Sequence, residues 1–194
     1  MKKILVIFLL CFALISCSSS ESNIEGDINN TFTSIFTTEN LVHKYQEEGK
    51  AFVSHYYLDN LNANNNASIL IRTNGKEINL EEYKVTAGGS NNIIHFYESP
   101  TITNNGTEIE VYNFNRSSSN NATARIYFNP TISNHGTEIN SHLIIDNKKV
   151  GGIVDENTLH FSLKENATYL IQINNEGSTN EAILFNLVWY ELEK

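Results

Sequence analysis

The chain has 194 residues, with 13 lysines and arginines against 22 aspartates and glutamates, a formal charge of −9. Lys2 and Lys3 lie in the leader described next, so the remainder carries 11 basic against 22 acidic residues, a charge of −11, and no basic cluster interrupts it. Such a surface repels phosphate backbones and excludes nucleic acid as an expected partner.

The first residues, MKKILVIFLLCFALISC, run from two lysines through an apolar stretch, Ile4 to Ile15, to a small residue and a cysteine. That stretch is too short to span a bilayer as a helix and has the order of a secretory signal. Leu14-Ile15-Ser16-Cys17 has the form of a bacterial lipobox. Residues 1–16 are therefore expected to be a lipoprotein signal peptide, with Cys17 carrying lipid such as palmitate and holding the chain to a membrane. Residues 17–30, polar and rich in serine, read as a flexible tether. Residues 31–194 are expected to form one domain, because about 150 residues suffice for one sizeable core and are few for two. Cys11 leaves with the signal and Cys17 is acylated, so no thiol remains for disulfides or metal ligation.

The single helical candidate is Thr38 to Glu48, with Thr38 as cap, Leu41 and Tyr45 four apart, and Gly49 as stop. Beyond it, two-residue alternation dominates. Strands are expected at about 51–58, 68–73, 77–85 and 92–98. Ile109 and Val111 alternate with Glu108 and Glu110, and Ala122, Ala124, Ile126 and Phe128 alternate with Thr123, Arg125 and Tyr127. Further strands are expected at 137–145, around Leu159, Phe161 and Leu163, and at 167–174. The last run, Ala182 to Tyr190, is apolar on nearly both faces, as a central strand would be, and places Trp189 in the core. Nine or ten short strands separated by Asn, Gly and Ser clusters predict an all-β fold, a β-sandwich or jelly roll.

Both prolines fall in near-copies of one phrase, SPTITNNGTEIE (Ser99 to Glu110) and NPTISNHGTEIN (Asn129 to Asn140). Pro100 and Pro130 follow strand ends, where a missing N–H is harmless. Gly106 and Gly136 precede Thr-Glu-Ile and are expected to supply positive φ at a turn. The thirty-residue offset thus predicts a duplicated strand–turn–strand corner, its two copies stacked or facing.

Catalytic signatures are missing: there is no GxSxG, HExxH, P-loop or CxxC pair. His43, His55, His95, His135, His142 and His160 are scattered without metal-ligand spacing. No catalytic residue, metal or cofactor is expected. Arg116, in Asn-Phe-Asn-Arg-Ser-Ser, is a candidate clamp joining the duplicated corners through turn carbonyls or a carboxylate such as Glu98.

The order Phe96-Tyr-Glu-Ser-Pro-Thr101, Gly106-Thr107, Asn113-Phe-Asn-Arg-Ser-Ser118, Pro130-Thr131, Gly136-Thr137, Gly151-Gly152, Leu163-Lys-Glu-Asn-Ala-Thr-Tyr-Leu170 and Trp189-Tyr-Glu191 resembles a family of tailed-bacteriophage virion proteins. The likeness runs from about Gly49 to the C-terminus. It implies a small, non-enzymatic β-rich structural component of head-decoration or fibre-like type, assembling with itself or with capsid proteins. The chain departs from that pattern in its lipobox and in Asn166, which stands where the pattern usually has proline. The alternative expectation is a bacterial or phage-encoded envelope lipoprotein that binds a glycan or an envelope protein, as in superinfection exclusion. The first places the chain in the virion, the second in the cell envelope. Ser18 carries no acidic retention cue and so favours the outer membrane.

Overall fold

The structure is a computed structural model that describes residues 43–88, 91–144, 153–154 and 160–192. Cys17, the tether, Thr38, Leu41, Gly151, Gly152 and Leu159 lie outside those residues. Every described residue falls in the compact unit Asn40–Lys194.

Alternation of apolar and polar residues makes most of the described residues extended. The strands are β1 (Ala51–Leu61), β2 (Asn66–Arg72), β3 (Glu77–Ala87), β4 (Asn92–Glu98), β5 (Thr101–Asn104), β6 (Thr107–Ile109) and β7 (Tyr112–Asn113). They are followed by β8 (Arg125–Phe128), β9 (Thr131–Asn134), β10 (Thr137–Ile144), β11 (Ile153–Val154), β12 (Phe161–Leu163), β13 (Thr168–Asn175) and β14 (Glu181–Leu192). Residues 43–47 are helical and end at Gly49, whose φ of 66° stops the helix.

Two sheets carry the fold. One runs β11-β3-β14-β1-β7, with β12 also on the outer edge of β3, and the other runs β10-β4-β13-β2-β8-β6. Eight strands alternate between the sheets as β1-β14-β3-β12 and β2-β13-β4-β10, the strand order of a jelly roll. The inward residues of both sheets form one core: Phe52, Tyr83, Phe185, Leu187 and Trp189 from the first, Ile69, Phe96, Ile126, Ile171 and Ile173 from the second. Tyr83 and Phe96 meet across the sandwich with ring centroids 5.4 Å apart, and Tyr56 stacks on Phe128 at 3.9 Å. Strand β14 lies between β1 and β3, so its apolar character on both faces fits its central place.

The doubled phrase adds a third layer. Strands β5 and β9, absent from the expected strands, pair with each other antiparallel, Ile102 opposite Ile132. The chain then crosses over: β10, after the second copy, pairs with β4, before the first, while β6, after the first copy, pairs with β8, before the second. Thr137 thus lies opposite Glu98, and Thr107 opposite Phe128. The arrangement is close to two-fold, its axis passing through the Leu70–Leu170 pair of β2 and β13. Ser68-Ile-Leu-Ile-Arg72 and Thr168-Tyr-Leu-Ile-Gln172 occupy equivalent positions, since Ile69 lies opposite Phe128 and Tyr169 opposite Glu98.

Leu70 and Leu170 are wholly buried yet absent from the inter-sheet core, because they alternate with Ile69, Ile71, Tyr169 and Ile171 onto the outer face. The doubled phrase is what lies beyond β4 and β8 on that face, and both Pro100 and Pro130 are buried there. Burying the two leucines contributes about 1.5–3 kcal/mol each.

Candidate functional site

Each corner is built the same way. Ser99 and Asn129, the residues before the prolines, hold φ of 58° and 48° and donate N–H to the carbonyls of Thr168 and Ser68, both at 2.8 Å. Residues before proline avoid the right-handed helical region, and the left-handed form here reverses the chain. Asn104 Oδ1 then accepts from Gly106 N at 2.9 Å, and Asn134 Oδ1 from Gly136 N at 2.8 Å. Thr103 Oγ1 donates to the carbonyl of Thr131, and Ser133 Oγ to that of Thr101, each at 3.2 Å. Gly106 and Gly136 have φ of 86° and 83°.

The polar pairs that join the corners to the sheet are not those the sequence suggested. Arg72 donates through Nε and Nη2 to Asn105 Oδ1, at 3.1 and 2.8 Å, while at the equivalent place His135 Nε2 and Gln172 Oε1 lie 2.9 Å apart. Beside them Arg125 pairs with Glu108 at 3.2 Å and His95 with Glu138 at 3.0 Å. The hydrogen bond from His95 is the main cause that holds the Glu138 carboxyl below its ordinary value.

Arg116 does not clamp the corners. Its guanidinium stands over the Tyr112 ring, 5.4 Å from the centroid, a cation–π contact. Glu98 is held by Lys164 at 2.8 Å, and that hydrogen bond lowers the Glu98 carboxyl and raises the Lys164 ammonium. The clamping work falls to the asparagines of this segment, Asn113 and Asn115 within the motif and Asn120 just after it. The amides of Asn113, Asn115 and Asn120 donate to the carbonyls of Gly49, Glu47 and Glu48, satisfying the orphan acceptors at the end of the helical segment. Ser118 stands so close that a Cβ on Gly49 would lie 2.2 Å from its hydroxyl oxygen.

Trp189 is 2% exposed and lies 6.0 Å from Phe52 between ring centroids, so it is a core residue rather than a stacking platform. Asn166 holds φ of 52°, which proline cannot adopt, and its side chain accepts from Gly75 N at 3.0 Å. The buried Glu191 carboxylate accepts from the main-chain N–H of Thr123 and Ala124 and from the Thr123 hydroxyl, at 2.8 to 3.0 Å, and so fixes the start of β8.

No group of three His, Cys, Asp or Glu side chains among the described residues is placed to hold a metal. A depression of about 340 Å³ is lined by Glu108, Ile109, Glu110, Val111, Asn121 and Arg125.

The two outer faces differ in kind. That of the β2–β13 sheet carries the doubled phrase. That of the β1–β14–β3 sheet presents Tyr57, 59% exposed, opposite Leu184, 38% exposed, with Val53 opposite Val188 further along. His55, between them on β1, stacks on Tyr112, and Tyr45 stacks on Tyr190 at one end of the face with centroids 4.3 Å apart. Burial and the nearby Glu81 push the Tyr190 phenol up to about 12. This strip of tyrosine, histidine and aliphatic side chains is the candidate functional surface.

No family model, curated protein or solved structure matches the chain. No helix among the described residues is long and apolar enough to cross a membrane.

Proposed function

We propose that the protein is a non-enzymatic structural and interaction module, a jelly-roll sandwich of the kind small β-rich virion components use, held at the bacterial envelope by lipid on Cys17. The observation that carries this reading is the contrast between the outer faces. On one sheet the chain's own doubled phrase lies over the middle strands and leaves Leu143 and Ile139 exposed only on edge strand β10, while the other leaves Tyr57 and Leu184 side by side in solvent on its central strands β1 and β14. Tyrosines on a rigid sheet are favourable interface anchors, because they bury large area at small entropic cost. The partner is a capsid, tail or envelope protein, or a second copy of the chain.

The glycan-binding lipoprotein is the second reading. It draws on the Tyr112 ring, 36% exposed and flanked by Arg116 and His55, as a surface on which a sugar ring would stack.

Two experiments test the proposal. Metabolic labelling with a fatty acid should mark the wild-type chain and fail on Cys17→Ser; an unlabelled wild type removes the anchor. The pair Tyr57→Ser and Leu184→Ser should keep the melting temperature and abolish co-sedimentation with virions or envelope complexes. Loss of binding to a glycan array on Tyr112→Ala, with co-sedimentation intact in the first pair, favours the second reading.

A further inference from the structure

Arg72 and Arg125 lie directly opposite each other on β2 and β8, two like charges in one cross-strand position. Such a pair is unfavourable unless each has a counter-charge. Arg125 has Glu108. Arg72 instead directs two donors at the amide oxygen of Asn105. The residue after Asn105 is Gly106, and an Asn-Gly step leaves the following main-chain nitrogen free of side-chain hindrance toward the asparagine carbonyl.

We propose that Asn105 is a self-modification site, converted to aspartate by deamidation that Arg72 assists, and that the new carboxylate supplies the counter-charge Arg72 lacks among the described residues. Gly106 N–H first leaves Asn104 Oδ1 and gives its proton to a solvent base. The nitrogen bonds to Cγ of Asn105, and negative charge develops on Oδ1, facing the two guanidinium donors as an oxyanion does in a donor-lined hole. A solvent acid returns a proton to Nδ2, and collapse breaks the Cγ–Nδ2 bond and releases ammonia, leaving a five-membered succinimide. Water adds at Cγ and breaks the bond to the Gly106 nitrogen, restoring the main chain with an aspartate. The net change is amide and water to carboxylate and ammonium, without oxidant or reductant.

The molecule contains its own comparison. Asn74-Gly75 is the same dipeptide, in a turn with open space around Gly75, but its side chain donates to the carbonyl of Thr123 and no guanidinium stands on its oxygen among the described residues. At the equivalent corner the chain has His135-Gly136, which cannot react in this way.

The test is peptide mass spectrometry on the purified full chain aged in mildly alkaline buffer. Asn105 should gain about 1 Da, the amide-to-acid difference, and do so faster than Asn74 in the same sample. Arg72→Met should slow the gain at Asn105 about tenfold or more, since each of the two charge-assisted hydrogen bonds it removes from the transition state represents about that factor, and leave Asn74 unchanged. In urea the two sites should react at similar rates, a measurement that holds even where Arg72→Met fails to fold. Asn105→Asp should melt above the wild type. Conversion at Asn74 with Asn105 intact, or faster conversion at Asn105 in a folded Arg72→Met variant, would overturn the assisted reaction. A melting temperature of Asn105→Asp below wild type would overturn the role given to the carboxylate.

Discussion

A Cβ added to Gly106 would lie 2.2 Å from the carbonyl oxygen of Phe128, and one on Gly136 would lie 2.3 Å from that of Glu98. Each glycine of one copy therefore packs on the strand end that begins the other. Both the left-handed backbone and the main-chain contact require glycine. Gly106→Val and Gly136→Val should each lower stability by about 3 kcal/mol or more, combining the left-handed penalty with overpacking against backbone that cannot swing away. Denaturant melts read this directly. Unchanged midpoints in both variants would remove this account of the duplication.

Trp189 fills the sandwich beside Phe52, and its indole nitrogen is buried without an acceptor among the described residues. Trp189→Ala should therefore cost about 3–5 kcal/mol. Trp189→Phe should cost clearly less, since it gives up ring area and no hydrogen bond. Equal losses in the two variants, measured by chemical unfolding, would contradict that division.

The second small core is testable apart from the first. Leu170→Ala should destabilise by about 3 kcal/mol, although a residue facing the outer side of a sheet ordinarily costs little. A change below about 0.5 kcal/mol, the range of simple surface substitutions, would mean that the doubled phrase does not seal this face.

Tyr190 makes stability fall in alkali. Its phenol is raised from 10.0 to about 12, chiefly by burial and then by Glu81, so the fold favours the protonated form. The unfolded chain loses this proton near 10, so the contribution is complete below that pH and is lost as pH rises to about 12. The shift corresponds to about 2 kcal/mol after allowance for partial exposure. Tyr190→Phe should flatten the decline in unfolding free energy between pH 10 and 12 relative to wild type. Parallel curves would contradict it.

Strands such as β1, β3, β4 and β13 were legible because each is a run rich in apolar and aromatic residues bounded by Asn, Gly and Ser clusters. The tetrapeptides Thr101-Ile-Thr-Asn and Thr131-Ile-Ser-Asn were not, since each is short and finds its partner only in the other copy, about thirty residues away. Proline and glycine gave away the turns, but not that Ser99 and Asn129 take positive φ before the prolines. Arg116 drew attention by its charge, whereas the neighbouring asparagine amides cap the helical segment. Arg72 and Gln172 were invisible as clamps because their equivalence appears only once β2 and β13 are paired about Leu70 and Leu170. The exposed strip was equally hidden: Tyr57 and Leu184 are far apart in sequence and meet through the β1–β14 register.

The most direct test of the proposed function is site-specific photo-crosslinking in cells that make the lipid-anchored chain. One crosslinker replaces Tyr57 on the strip, and the other replaces Thr103, exposed on the doubled phrase. The account predicts a discrete protein adduct from position 57, lost on Leu184→Ser, and none from position 103. Adducts of equal yield from both positions, or from position 103 alone, would contradict the assignment of the β1–β14–β3 face as the working surface.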